Sequence, residues 1–263
     1  MRRIEEGEQI FISYIDNSNP LELRQGELRE RYFFDCSCSK CQNGTNARED
    51  RFLVAKPRFS NLADAGRKAI DLLKSAKDED SPASAAEKLY SGMDFLRGIG
   101  AWPITRQPFS QLRDELIVYL LEAQQFWPAF VHSAIRYLRI DPIVFLGPWH
   151  PLRNVHAWTF VKLAIHLFQA PDATTPGNAE LQKYGINLGL VIYSVLNDLQ
   201  KLNNELPTAQ KVYKENYAEV RKEFEANGLD PDTMQNEIGA EWVKMDKLVD
   251  DALQGETTMG RAA

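Results

Sequence analysis

The chain has 263 residues, 44% of them hydrophobic and 26% charged, which is ordinary usage for a folded protein and enough to bury one large core or two smaller ones. A formal net charge of -6 and an isoelectric point near 5.4 exclude a general field for phosphate backbones or anionic lipids. The Arg and Lys residues are interleaved with Asp and Glu, no apolar run approaches the ~20 residues of a spanning helix, and the opening "MRRIEEGEQ" lacks the apolar stretch of a signal peptide, so an intracellular protein of cytoplasm or nucleus is expected, with no direct nucleic-acid or membrane partner.

Residues 9–15, "QIFISYI", form a β-branched and aromatic run between Gly7 and "DNSNP", the pattern of a strand covered on both faces. Asn19 then reads as a helix N-cap, with Pro20 at the first helical position and Glu22 placed to close a capping box. This helix should run to about Arg31 and bury Leu21, Leu28 and Tyr32 on one face. Next come the chain's three cysteines, Cys36, Cys38 and Cys41, all within six positions. Three soft thiolates on a tight turn suit zinc, because they would repel one another unless a cation neutralised them. A structural zinc site normally takes four ligands, and no fourth cysteine exists; His132, His150, His156 and His166 lie far off on helical segments and read as packing residues.

Residues 42–58 have the polar, turn-forming composition of a linker. From Phe59 to Leu253 apolar residues recur three or four apart, with segments near 59–76, 83–97, 109–124, 127–140, 152–169, 178–202, 208–227 and 232–253. Pro82, Pro108, Asp141-Pro142, Gly147-Pro148, Leu206-Pro207 and Asp230-Pro231 punctuate them, which predicts a stack of antiparallel helix pairs. "WPAFVHSAIRYLRIDP", 127–142, is similar to the second helix of a tetratricopeptide unit, although no clean repeat period is found. The last residues, "GETTMGRAA", read as a frayed tail. Gly98-Ile-Gly100 lacks the third glycine and preceding strand of a dinucleotide fingerprint, "KDED" at 77–80 reads as a solvated loop, and the five tryptophans read as core or groove residues.

The ordered combination of Glu-Gln-Ile-Phe-Ile-Ser-Tyr-Ile-Asp, a helix, and Tyr32-x-Phe34-x-Cys36-x-Cys38-x-x-Cys41 resembles the end of a SET domain with its zinc-binding post-SET segment. More narrowly it resembles the SET and MYND (SMYD) family of protein lysine methyltransferases, and "FLGPWHPLRNVHAW", 145–158, resembles the Gly-x-x-His-Pro-x-Arg stretch of that family's helical C-terminal domain. The resemblance implies a mainly α fold: a short β-containing SET remnant and post-SET zinc turn over 1–48, a tetratricopeptide-like helical array over 49–253, and a flexible tail over 254–263. It implies S-adenosylmethionine and zinc as cofactors and a protein substrate carrying the target lysine. Tyr14 matches the active-site tyrosine bordering the lysine channel, Tyr32 and Phe34 match aromatics near the cofactor adenine and that channel, and Cys36, Cys38 and Cys41 match zinc ligands. The family's MYND finger, early SET strands, glycine-containing cofactor loop and Asn-His-Ser-Cys motif lie upstream of the segment matching Met1. The expectation is therefore a C-terminal portion, inactive alone; the alternative is a non-catalytic helical scaffold that takes a peptide in its groove.

Overall fold

A computed structural model describes residues 5–7, 13–15, 17, 19–44, 62–100, 102–145, 147–148, 150–169, 176–201 and 207–259, and among these the chain is mainly helical with no strand. Most of the strand expected over 9–15, most of the linker expected over 42–58, and Trp149 lie outside the described residues. Ser13, Tyr14 and Ile15 are described, and they form a bend in which the Ser13 hydroxyl donates to the Ile15 carbonyl at 2.6 Å.

The first helix, α1, runs Leu21–Tyr32 and starts one residue later than its sequence suggests. Pro20 takes the N-cap position, where its carbonyl accepts the Arg24 N–H at 2.9 Å, and no side chain caps the helix. The Asn19 carbonyl instead receives the guanidinium of Arg24. The buried face is correspondingly Arg24 and Leu28, one turn apart, whereas Tyr32 faces outward. A single turn, α2 (Ser39–Gln42), follows.

The remaining helices form the array that the 3.6-residue periodicity predicts: α3 (Leu62–Lys77), α4 (Pro82–Ile99), α5 (Phe109–Glu122), α6 (Phe126–Ile135), the short α7 (Asp141–Val144), α8 (Pro151–Gln169), α9 (Pro176–Tyr184), α10 (Leu188–Lys201), α11 (Pro207–Ala226) and α12 (Gln235–Met259). Each principal helix packs on its sequence neighbour, α3 on α4, α4 on α5, α5 on α6, α6 on α8, α8 on α10 and α10 on α11, while α12 returns to lie against α6 and α10. Leu89, Met93 and Leu96 of α4 interdigitate with Leu112, Leu116 and Leu120 of α5, all at helical spacing and all buried. Gly92 permits this approach, since a Cβ there would stand 3.1 Å from the Leu112 side chain. Ser81 caps α4 by accepting the Ser84 N–H at 3.1 Å, and Gly100 closes it in the left-handed conformation.

The array departs from its expected segments in three places. The segment read as one helix over 178–202 is two, because Gly185 adopts a positive φ and the Asn187 side chain accepts the Gly189 N–H at 3.0 Å to start α10. The segment over 127–140 does not stop before Asp141-Pro142: a π-helical turn, Arg136–Ile140, links α6 to α7, and Arg136 inside it meets Asp114 at 3.0 Å and Asp141 at 3.1 Å. Finally α12 remains helical through Met259, where a frayed tail is expected from residue 254.

The reason is Glu256. Its carboxylate receives both terminal nitrogens of the fully buried Arg113, at 3.1 and 2.9 Å, and one from Arg97 at 2.8 Å. Burial alone would push the Glu256 carboxyl up, but Arg113 outweighs it and holds the group below its usual range. His132 Nδ1 accepts from Arg113 at 2.6 Å, so its proton sits on Nε2, 3.0 Å from the Tyr90 hydroxyl. Burial, followed by the Arg113 charge, pulls the imidazole down to about 3, and burial pushes Tyr90 up to about 12, so both are neutral.

Glu256→Ala should cost about 3–5 kcal/mol in urea unfolding, because it leaves a buried guanidinium uncompensated; a loss below about 1 kcal/mol would show that the pair does not hold α12 in place. His132 binds its proton more weakly in the folded chain than in the unfolded one, so its contribution is present above pH 6.5 and lost as pH falls from 6.5 toward 3. Unfolding free energy in that window should decline with a slope approaching about 1.4 kcal/mol per pH unit, and the decline should be shallower in His132→Gln.

Candidate functional site

The residues singled out between 14 and 41 converge through the way α1 ends. Phe33 closes the helix in the left-handed conformation, φ 59°, with its N–H on the Arg29 carbonyl at 3.2 Å. A non-glycine residue there is uncommon, and its ring is 89% exposed, so it contributes a turn and no packing. The reversal sends the next residues back along α1. There the Gln25 side chain binds the backbone of Cys36 at both groups, donating to its carbonyl at 2.8 Å and accepting its N–H at 2.9 Å. This two-point clamp fixes the start of the cysteine turn against the helix.

On either side of Phe33, the rings of Tyr32 and Phe34 turn the other way and meet Tyr14. Tyr14 and Tyr32 have centroids 5.1 Å apart and tilted by 53°, and Tyr14 and Phe34 stand edge to face at 5.9 Å. The three rings remain 53%, 38% and 39% exposed for Tyr14, Tyr32 and Phe34, so they form an open ledge rather than an enclosed pocket. The Arg31 guanidinium lies 5.7 Å from the Tyr32 centroid and adds positive charge at its margin.

Cys38 stands at the N-cap of α2 and Cys41 inside it, three residues on, so both thiols project from the same side of one turn. Their sulfurs and that of Cys36 lie within 4.8 Å of one another. Tetrahedral zinc with sulfurs at ~2.3 Å needs them about 3.8 Å apart, so a small contraction brings the three into bonding position. Zinc thus fits three corners of a site; among the described residues no histidine or carboxylate joins the cluster. The Asn17 carbonyl accepts from Lys40 at 2.7 Å and ties the turn to the chain before α1. Arg24 Nη2 approaches Cys41 Sγ at 4.0 Å, a donor suited to a thiolate.

The thiols are not equivalent. The Cys41 backbone N–H, hydrogen-bonded toward Cys38, draws the Cys38 thiol below its usual value, whereas burial pushes Cys41 up. The four histidines are occupied elsewhere or remote from the turn: His132 in the Arg113 network, His156 3.1 Å from Asp141, His166 tilted against Phe126, and His150 stacked on Phe145 at 4.3 Å. Trp102, Trp158 and Trp242 are likewise internal, donating or stacking within the array. Sequence reasoning missed Arg24, Gln25 and Phe33. A Gln and an Arg on a helix read as solvent-facing, and only the reversal at Phe33, which no glycine announces, turns them toward the cysteines.

No family profile matches the chain. Curated proteins do resemble it. It is 30% identical over 149 residues to "SET domain and MYND-type zinc finger protein 6" of Schizosaccharomyces pombe, covering 57% of this chain and 26% of that protein. It is 46% identical over 54 residues to "Histone-lysine N-methyltransferase Smyd1" of Mus musculus, covering 20% of this chain and 11% of that one. It is 33% identical over 93 residues to "N-lysine methyltransferase SMYD2" of Homo sapiens, covering 33% and 22%. The aligned stretches thus span between 11% and 26% of the relatives' length.

In metal-free protein at neutral pH, Cys38, exposed and shifted toward thiolate, should be alkylated by iodoacetamide before Cys41; peptide mass spectrometry showing the reverse order would contradict the arrangement of the turn.

Proposed function

We infer that this chain, which belongs to the SET and MYND (SMYD) family, carries one wall of a protein-lysine methyltransferase active site together with its zinc turn, followed by a tetratricopeptide-like helical domain. The observation that carries the reading is the meeting of Tyr14, Tyr32 and Phe34 beside three clustered cysteines, side chains drawn from a bend, a helix end and a turn. Packing of a small isolated core offers no reason for three aromatic rings to share an exposed ledge.

S-adenosylmethionine, when bound, supplies an electrophilic sulfonium methyl. The substrate amine must be neutral to attack it, although lysine's ordinary pKa is about 10.4. An aromatic surface disfavours the ammonium form by desolvation, which Tyr14, Tyr32 and Phe34 would provide along one side. The Tyr14 hydroxyl would orient the amine for in-line attack without forming a covalent bond to it. Tyr32 and Phe34 would border the bound cofactor, which would supply the methyl group, and the open edge of the ledge would let the amine proton pass to water. Cys36, Cys38 and Cys41 would hold zinc and keep the segment after Phe34 folded against α1 through the Gln25 clamp. The three thiols favour a reducing, intracellular setting, the cytoplasm or nucleus.

Because the ledge is open, residues 1–263 by themselves should bind S-adenosylmethionine negligibly; calorimetry giving a micromolar dissociation constant would refute that expectation. In protein that transfers methyl from labelled S-adenosylmethionine to lysine-bearing protein, Tyr14→Phe should reduce that transfer at least a hundredfold while zinc content is unchanged. Cys38→Ser should lower the zinc measured by atomic emission. Undiminished transfer in Tyr14→Phe would remove Tyr14 from the site.

A further inference from the structure

A groove of about 400 Å³ opens between α8, the start of α10 and α11, well separated in sequence from the aromatic ledge. Its floor is Ile165, Ile192, Val220 and Phe224, and its lips are the exposed side chains of Phe168 and Leu229. The floor stays open at Gly189: a Cβ placed there would lie 3.7 Å from the Phe224 ring and 3.8 Å from the Phe168 ring, so any larger side chain would occupy the space between them. Exposed aromatic and aliphatic lips around an apolar hollow are the usual form of a recognition surface rather than of a sealed core.

The charge on the wall decides what fits. Glu219 and Glu223 stand one turn apart on the exposed side of α11, and among the described residues no cation comes within ion-pair distance of either. Lys162 lines the same groove and exposed Lys222 stands between the two glutamates in sequence, yet neither forms an ion pair with Glu219 or Glu223. Arg221 is spent on Glu225 at 2.9 Å and Asp232 at 2.7 Å, and the Lys162 ammonium lies 5.7 Å from the Trp158 ring. Like charges at i and i+4 disfavour their own helix, so a cationic partner gains from both carboxylates at once. Acidic or phosphorylated ligands would meet the pair and the chain's net charge of -6, and an uncharged apolar molecule would leave the carboxylates unanswered.

We propose that this groove binds a segment of another protein that seats one apolar side chain between Phe168 and Phe224 and presents two Lys or Arg side chains to Glu219 and Glu223. Glu219 and Glu223 leave the backbone ~6 Å apart along the axis of α11, the rise of four helical residues, so two cations about one helical turn apart can meet both. Binding of this segment needs no methyl transfer and no zinc.

The test is fluorescence anisotropy on the purified chain with a labelled peptide in which leucines are flanked by lysines, and with its twin carrying glutamate in place of lysine. The lysine peptide should bind with an affinity that falls as salt rises, and the glutamate twin should not bind. Glu219→Lys with Glu223→Lys should weaken the lysine peptide at least tenfold and admit the glutamate twin. Asp78→Lys with Asp80→Lys, an equal charge change on an exposed loop, should leave binding unaltered. Gly189→Phe should weaken binding at least tenfold by filling the hollow; if that variant fails to fold, the charge-reversal pair carries the test alone. Equal loss in the Asp78/Asp80 and Glu219/Glu223 variants would mean attraction by net charge only and would overturn the proposal. So would binding of an uncharged apolar dye in the groove without competition from the lysine peptide.

Discussion

Arg113 is fully buried, and the free energy of keeping its charge away from water is met by a carboxylate that lies 143 residues further along the chain. That single demand organises the helical domain. The guanidinium comes from α5, Arg97 from α4, His132 from α6 and Glu256 from the final turns of α12, so three consecutive helices and one distant in sequence are drawn to one point. Hydrophobic burial accounts for the neighbour-on-neighbour packing of α3 through α11, but it is nondirectional and would tolerate several placements of a last helix. The forked, charge-assisted contact is directional, and it selects the placement in which α12 crosses back over α6 and α10.

The same logic recurs on a smaller scale in the aromatic and cysteine segment. There the directional element is uncharged: the Gln25 amide satisfies both backbone groups of Cys36 and so converts a turn with little apolar content into a defined one. Phe33 is the backbone cost of that arrangement, a left-handed non-glycine residue with its ring in solvent, and the return is that Tyr32 and Phe34 flank Tyr14 on one side while the thiols gather on the other. A metal held by Cys36, Cys38 and Cys41 and a ring ledge at Tyr14 therefore share one mechanical support, which links the integrity of the turn to the geometry of the ledge.

The helical array also opens an apolar groove at its surface. The groove at Gly189 is built by the break between α9 and α10, since the Asn187 cap that starts α10 also places Gly189 between two phenylalanine rings. As proposed, the aromatic ledge would meet a lysine in its neutral form and the carboxylate-edged groove would meet lysines in their charged form.

Much of this was legible in the residues. Apolar spacing located the principal helices of the array, punctuation located most of their ends, and the order of Tyr14, Tyr32, Phe34 and the three cysteines pointed to the family. The misplaced features share a cause. Gly185 and Asn187 were visible signals of a break, yet periodicity continued through them; Pro20 and Asn19 looked like a capping pair, yet a buried arginine took the Asn19 carbonyl. Residues 254–259 looked like a tail because nothing local holds them. By itself the sequence determined which faces of the array's helices must be buried and which side chains could ligate or react, since these follow from residue type and local spacing. Only the tertiary structure decided where Glu256, Gln25 and Phe33 would act, because a buried charge and an unpaired backbone group are satisfied by whichever partner the fold brings near, and no local pattern encodes that distance.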